Sequence, residues 1–242
     1  MRKQRLKQKT IGILGGASDV ATAQYYKLLN KAANERLGGW DIAETLIAGM
    51  NFGNIEAFLR QGDWKALEAY MERKVAGLIA AGADLTICVS NTLHRPLAQI
   101  MARRPNWRFL HIADPTGEAI QQGGLKRVAL FGTKPTMAEA YMRNYFETNF
   151  DIQIIVPDDD EQNDIDRIIF DELVKDRIEP ASKARYLSIA DRMAREEGAE
   201  GLILGCTEIF LLISQADRVD LPMFNTTALH CDTATRFALD GI

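Results

Sequence analysis

The chain has 242 residues, of which 47% are hydrophobic and 26% charged, and its formal net charge is −4. That is enough apolar material for one large core or two moderate ones, and the charge gives no reason to expect a nucleic-acid partner. No apolar run approaches the roughly 18 residues of a membrane span, so no membrane role is expected.

Arg2, Lys3, Arg5, Lys7 and Lys9 make the start basic. The run leads directly into Thr10-Ile11-Gly12-Ile13 without the apolar region of a signal peptide, and it reads as a solvated tail. Cys88, Cys206 and Cys231 are far apart, with no C-x-x-C and no ligand cluster. Neither a disulfide framework nor a metal site is expected. The odd cysteine count points to a reducing cytoplasm.

In chain order, residues 10–14 form a short apolar strand ended by Gly15-Gly16. Ser18 or Asp19 caps a helix to about Leu37, where Gly38-Gly39 stop it. Residues 43–50 read as a strand, followed by the turn Asn51-Phe52-Gly53-Asn54. Asp63 caps a helix over 64–81. An apolar strand over 85–89 runs into Ser90-Asn91-Thr92, and a helix with Pro96 in its first turn reaches Arg103. Residues 109–112 read as a strand and 115–122 as a helix.

Residues 127–131 form a strand closed by Gly132-Thr133. One helix is expected over 136–150, a strand over 152–156, and an exposed acidic stretch at 158–161. Helices follow over 163–175 and 181–197, then the strand 202–204, a short helix, a strand near 221–224 and a helix over 226–239. Strands alternate with helices throughout, which predicts an α/β fold with mainly parallel sheets.

The two halves repeat. Gly82-Ala83-Asp84 precedes Ser90 as Gly198-Ala199-Glu200 precedes Cys206, with an offset of 8 from glycine to Ser90 or Cys206. From Gly15 to Ser90 is 75 residues, and from Gly132 to Cys206 is 74. Repeats this long are whole domains rather than solenoid units. Two similar lobes bring the carboxyl ends of two sheets to one cleft, where ligands bind in such folds. Ser90 then faces Cys206 across that cleft. Groups on opposite faces of a carbon suit inversion, one removing a proton and the other returning it. Backbone N–H groups at helix starts suit the substrate carboxylate. A cysteine just before a helix start is expected to have a depressed pKa. The plain alternative is a buried cysteine serving as a small hydrophobe.

Thr10-Ile11-Gly12-Ile13-Leu14-Gly15-Gly16, Ser90-Asn91-Thr92-Leu93-His94 and Gly205-Cys206-Thr207-Glu208-Ile209 resemble the aspartate/glutamate racemase family, which works without pyridoxal phosphate. The resemblance spans nearly the whole chain. It implies two pseudo-symmetric Rossmann-like lobes, with residues 1–113 plus 225–242 in one and 114–224 in the other. It further implies a small amino-acid substrate, no cofactor and a homodimer. It makes Cys206 a catalytic residue with Ser90 opposite, and Asn91, Thr92 and Thr207 binders of the α-carboxylate and ammonium. Glu208 is counted with the substrate-binding residues, where it orients a neighbour or caps a helix and is not expected to be a base. His94 is expected at the surface or behind the site, and His111 and His230 in structural hydrogen bonds.

Four positions depart from the family pattern. Ser90 stands where a first catalytic cysteine is expected, and a serine hydroxyl is a poor base unless activated. Gly15-Gly16-Ala17-Ser18 replaces a Gly-Gly-Met-Ser turn, with Asp19 in place of an aromatic. Asn51-Phe52 replaces Asp-Phe. Asp164 falls where a lysine holds the substrate's distal carboxylate, which favours a neutral or basic side chain if Asp164 faces the substrate. Ala17, Ser18, Asn51, Phe52 and Asp164 therefore join the expected substrate-binding set. Three functions remain open: a racemase or epimerase, a one-cysteine decarboxylase or isomerase of small carboxylic acids, and a silent amino-acid-binding protein.

Overall fold

The computed structural model describes residues 8–240. Of the basic run, Arg2, Lys3, Arg5 and Lys7 lie outside the described residues. The first strand, β1 (Ile11–Gly15), is followed by α1 (Asp19–Leu37), which Ser18 caps by accepting the Ala21 N–H. Next come β2 (Thr45–Gly49), α2 (Phe52–Gln61), α3 (Trp64–Ala80) capped by Asp63, β3 (Leu85–Cys88) and α4 (His94–Arg103). The chain continues with α5 (Ala113–Gln122), β4 (Arg127–Phe131), α6 (Lys134–Ala138), α7 (Ala140–Phe150) and β5 (Gln153–Ile155). It ends with α8 (Asp159–Asp171), α9 (Pro180–Glu196), β6 (Gly201–Leu204), α10 (Ile209–Leu212), β7 (Met223–Asn225) and α11 (Thr226–Asp240).

The chain divides into two compact units. Among the described residues, the first comprises 8–89, 96–111 and 230–240, and the second 90–95 and 112–229. In the first, three parallel strands run in the order β2-β1-β3. Ile11 and Ile13 of β1 and Leu85 and Ile87 of β3 point to one face. There Ala21, Tyr25, Leu29 and Ala33 of α1 and Cys231, Ala234 and Ala238 of α11 cover them. Gly12 points to the other face, where a Cβ would come within 3.4 Å of Leu78 on α3.

In the second unit four parallel strands run in the order β5-β4-β6-β7. Ala129 and Phe131 pack with Ile165, Ile168, Ile169, Tyr186 and Ile189 of α8 and α9. Val128 and Leu130 pack on the opposite side with Ile120, Met142 and Phe146 of α5 and α7. Strands covered on both faces must be apolar at successive positions, and this is why they read as continuous runs.

The internal duplication is carried into sheet register. Leu14 is paired with Cys88, and Phe131 with Leu204. The Val89 N–H donates to the Leu14 carbonyl and the Gly205 N–H to the Phe131 carbonyl. At the opposite end the Asp84 carboxylate accepts the Thr10 N–H, as the Glu200 carboxylate accepts the Arg127 N–H. Ser90 and Cys206 thus each follow the last paired residue of their strand by two positions.

Four local expectations fail. The apolar run 109–112 makes only a single bridge between Phe109 and Thr86, because the chain turns into α5 at Ala113. The helix expected over 136–150 is two helices, since Glu139 takes an extended backbone (φ −76°, ψ 146°) between α6 and α7. The turn after β2 opens α2, with Asn51 as its cap. In the acidic stretch at 158–161, Asp158 caps α8, and Glu161 is buried because Arg192 on α9 donates to both of its carboxylate oxygens.

Candidate active site

β6 delivers Cys206 at its carboxyl end. Gly205 precedes it where the backbone crosses β4 closely: a Cβ there would lie 2.5 Å from Leu130 Cδ1 and 2.7 Å from the Phe131 carbonyl oxygen. Cys206 is buried at 8% exposure. Its Sγ donates to Glu208 Oε2 at 3.1 Å, and Thr207 Oγ1 donates to the same oxygen at 2.9 Å. Glu208 is itself buried at 2% exposure.

Burial pushes the Cys206 thiol well above the usual cysteine range, and the Glu208 carboxylate adds to the push. Hydrogen bonds from the backbone N–H groups of Thr207 and Glu208 act the other way. The depressed pKa expected from a helix start is therefore corrected. The helix, α10, is one turn long, Glu208 makes no side-chain cap bond to it, and the nearest charge is a carboxylate rather than a cation.

The Ser90–Thr92 segment is tied to this loop through the start of α11. Asn91 Nδ2 donates to Thr226 Oγ1 at 3.3 Å, and Thr226 Oγ1 donates to the Leu204 carbonyl at 2.8 Å. Thr227 Oγ1 donates to the Thr207 carbonyl at 3.4 Å. Asn91 Oδ1 is buried and accepts no hydrogen bond among the described residues. Ser90 Oγ accepts the Leu93 N–H at 3.4 Å, in the turn that precedes α4. His94 is fully buried rather than at the surface, because its Nδ1–H donates to the Ser90 carbonyl at 2.6 Å.

Thr92 completes a triangle of hydroxyls. Its Oγ1 lies 2.9 Å from Thr133 Oγ1 and 2.9 Å from Thr136 Oγ1, and the last two are 3.0 Å apart. Three hydroxyl protons suffice for three bonds, so the ring closes on itself. Rotating one hydroxyl outward offers a donor to an anion. Thr133, Thr136 and Thr226 were missed from sequence. The available signal for two of them was Gly132-Thr133 at the place of Gly15-Gly16 in the duplication, with a second threonine three residues on.

In the first unit, the carboxyl ends of β1 and β2 bring Gly16 against Met50. Gly16 has φ +92°, and a Cβ would stand 2.1 Å from the Met50 carbonyl oxygen, so only glycine fits. Ala17 and Ser18 follow on one side, and Asn51 and Phe52 on the other. Ser18 caps α1, and Asn51 caps α2 by accepting the Gly53 N–H at 3.0 Å. Asp164 lies on α8, half-exposed, where Arg185 of α9 donates to its carboxylate at 2.9 Å. Its nearest charge is a guanidinium.

His230 and His111 are buried in the first unit. The Leu110 carbonyl can only accept, so His230 Nε2 carries the proton and donates to it at 3.1 Å. Nδ1 accepts the Tyr25 hydroxyl at 3.0 Å. Among the described residues, no three His, Cys, Asp or Glu side chains gather so as to hold a metal ion.

This fold matches known proteins over nearly the whole chain. The model of the Asp/Glu/Hydantoin racemase family matches residues 11–234, and the chain belongs to that family. It is similar to an Asp/Glu racemase candidate from Yersinia pestis, at 33% identity, covering 96% of this chain and 99% of that one, with a TM-score of 0.86. It is also similar to an aspartate racemase homologue from Pyrococcus horikoshii, at 30% identity over 95% and 99% of the two chains, with a TM-score of 0.82. The glutamate racemase from Francisella tularensis, solved with D-glutamate, shares the fold at 13% identity and a TM-score of 0.66 over 98% of this chain and 83% of that one.

Proposed function

We propose that the protein is an amino-acid racemase or epimerase that needs no pyridoxal phosphate, with Cys206 as the base at the α-carbon. The observation that carries this reading is the placement of Cys206 in a member of this family. It stands at the carboxyl end of a buried parallel strand, where the backbone N–H groups of Thr207 and Glu208 address the sulfur and partly offset the upward push of burial and of the Glu208 carboxylate.

In this scheme the Cys206 sulfur takes the α-proton. The C–H electron pair passes into the substrate's carboxylate, and the planar intermediate receives a proton on either face. The hydroxyls of Thr92, Thr133 and Thr136 supply donors to that carboxylate as its charge grows. Asn91 Oδ1, buried without a donor, suits the α-ammonium.

Ser90 stands, by the family resemblance, where the second base is expected. Its hydroxyl is held by the Leu93 N–H, and among the described residues no carboxylate or imidazole hydrogen-bonds to it. This favours a lopsided enzyme in which return from the Ser90 face is slow. It also keeps a second reading, one-sided chemistry by the single cysteine on a small carboxylic acid. Asp164 already faces Arg185, so acidic side chains stay among the expected substrates beside neutral and basic ones.

The test is chiral chromatography of L- and D-amino acids and of hydantoins after incubation with the purified protein. Appearance of the opposite enantiomer, lost in Cys206→Ala, supports the racemase. Release of carbon dioxide without inversion supports the second reading.

A further inference from the structure

Two turns of the second unit meet at two pairs of residues with the same spacing. Thr92 Oγ1 lies 2.9 Å from Thr136 Oγ1, and Arg95 Nη1 donates to Glu139 Oε2 at 2.5 Å. Each pair is 44 residues apart in sequence, because Arg95 follows Thr92 as Glu139 follows Thr136, by one short turn. We propose that Arg95 and Glu139 are positioning residues of the proposed reaction. Their ion pair holds Thr92 against Thr133 and Thr136, and so sets the hydroxyls that meet the substrate carboxylate. This deepens the proposed function and rests on those hydroxyls binding the carboxylate.

Hydrogen-bonded backbone joins each charge to its hydroxyl. The Arg95 N–H donates to the Thr92 carbonyl at 3.4 Å, and the His94 N–H to the Asn91 carbonyl at 3.1 Å. On the other side the Met137 N–H donates to the Thr133 carbonyl at 3.0 Å, and the Glu139 N–H to the Pro135 carbonyl at 3.1 Å. A displacement at either charge is therefore carried to the hydroxyls. The break between α6 and α7 falls at Glu139, the residue whose carboxylate takes Arg95. Beside the ion pair, Tyr141 Oη donates to the His94 carbonyl at 3.2 Å. Residues 90–95 belong to the second unit, while β3 before them and most of α4 after them belong to the first. The segment lies outside the strands, so side-chain contacts such as these hold it in place.

The exposure of the pair separates positioning from stability. The Arg95 and Glu139 side chains are 40% and 35% exposed, and an ion pair so exposed adds little to folding. A hydrogen bond to a carboxylate, in contrast, weakens steeply with distance and direction. A small displacement of Thr92 thus costs affinity without unfolding the chain.

The experiment compares the full-length wild type with Arg95→Gln, Glu139→Gln, the double variant carrying both, Arg95→Lys, and the exchanged pair Arg95→Glu with Glu139→Arg. KM and kcat are read from α-deuterium exchange of the responding amino acid, and folding from the urea midpoint. Each glutamine variant should raise KM by about fivefold, the size of one weakened hydrogen bond. The change in kcat should be much smaller, and the urea midpoint should stay close to wild type. The double variant should be no worse than either single one, since the second removal finds no partner left. Arg95→Lys and the exchanged pair should recover most of the lost affinity.

An unchanged KM in Glu139→Gln, or KM effects that add in the double variant, overturns the proposal. So does a loss of kcat with a lowered urea midpoint that the exchanged pair does not restore, since it marks a merely structural bridge. If the wild type exchanges no amino acid, the racemase reading fails separately and the threonine-methyl NMR spectrum decides. Shifts of the Thr92, Thr133 and Thr136 methyl signals in Glu139→Gln that the exchanged pair reverses sustain the positioning role. Unmoved signals overturn it.

Discussion

Thr226 stands between Asn91 and the strand that carries Cys206, accepting from Asn91 Nδ2 and donating to the Leu204 carbonyl. One buried hydroxyl thereby joins two segments that are 113 residues apart in sequence, Asn91 and Leu204. Thr226→Val keeps the shape and removes both bonds. A buried carbonyl and a buried amide then lose a partner, and the expected cost is about 1–3 kcal/mol, read as a lower urea midpoint. Thr226→Ser keeps the hydroxyl and should recover most of the loss. Equal destabilisation by both variants would show that packing, not the bridge, matters at this position.

The hydroxyl triangle makes a different prediction. Thr136→Val removes one of the three donors that Thr92, Thr133 and Thr136 can aim at a carboxylate. Substrate KM should rise by about tenfold, equivalent to roughly 1.4 kcal/mol, the size of one lost hydrogen bond. Thr136→Ser should stay near wild type. An unchanged KM in Thr136→Val would remove these hydroxyls from substrate binding.

Stability should fall in mild acid. Burial lowers His111 to about 3, helped by the charge of His230, and burial lowers His230 to about 4. Both imidazoles stay neutral in the folded chain while the unfolded chain binds protons near the ordinary histidine value of about 6.5. Their contribution is complete above that value and is lost as pH falls toward the folded values. Between pH 7.5 and 5.5 the loss is about 1.4 kcal/mol for each histidine. Urea unfolding at the two pH values measures it. His230→Gln, with its own lower starting stability, should show a shallower dependence than wild type. An equal slope in the variant would contradict the assignment.

The strands were legible because parallel strands buried on both faces leave continuous apolar runs, as in β1 and β4. The duplicated spacing was legible because register fixes it: Leu14 pairs with Cys88 as Phe131 pairs with Leu204. What could not be read was decided by partners distant in sequence. Glu161 is buried by Arg192, 31 residues on in sequence. The direction of the Cys206 thiol was missed for a local reason. Glu208 could cap a helix or turn toward the sulfur, and spacing alone does not choose between these. Thr133, Thr136 and Thr226 escaped notice because a hydroxyl has no periodicity, and only their convergence on Thr92 and Asn91 gives them a role in the site.

The most direct measurement is proton NMR in D2O on a panel of L- and D-amino acids, acidic, neutral and basic, with wild type and Cys206→Ala and no added pyridoxal phosphate. The prediction is loss of the α-proton signal of at least one amino acid with wild type, absent with Cys206→Ala, and faster from the enantiomer whose α-proton faces Cys206. Exchange that persists undiminished in Cys206→Ala would contradict the central role of Cys206. No exchange with any amino acid, from folded wild-type protein, would contradict the racemase itself.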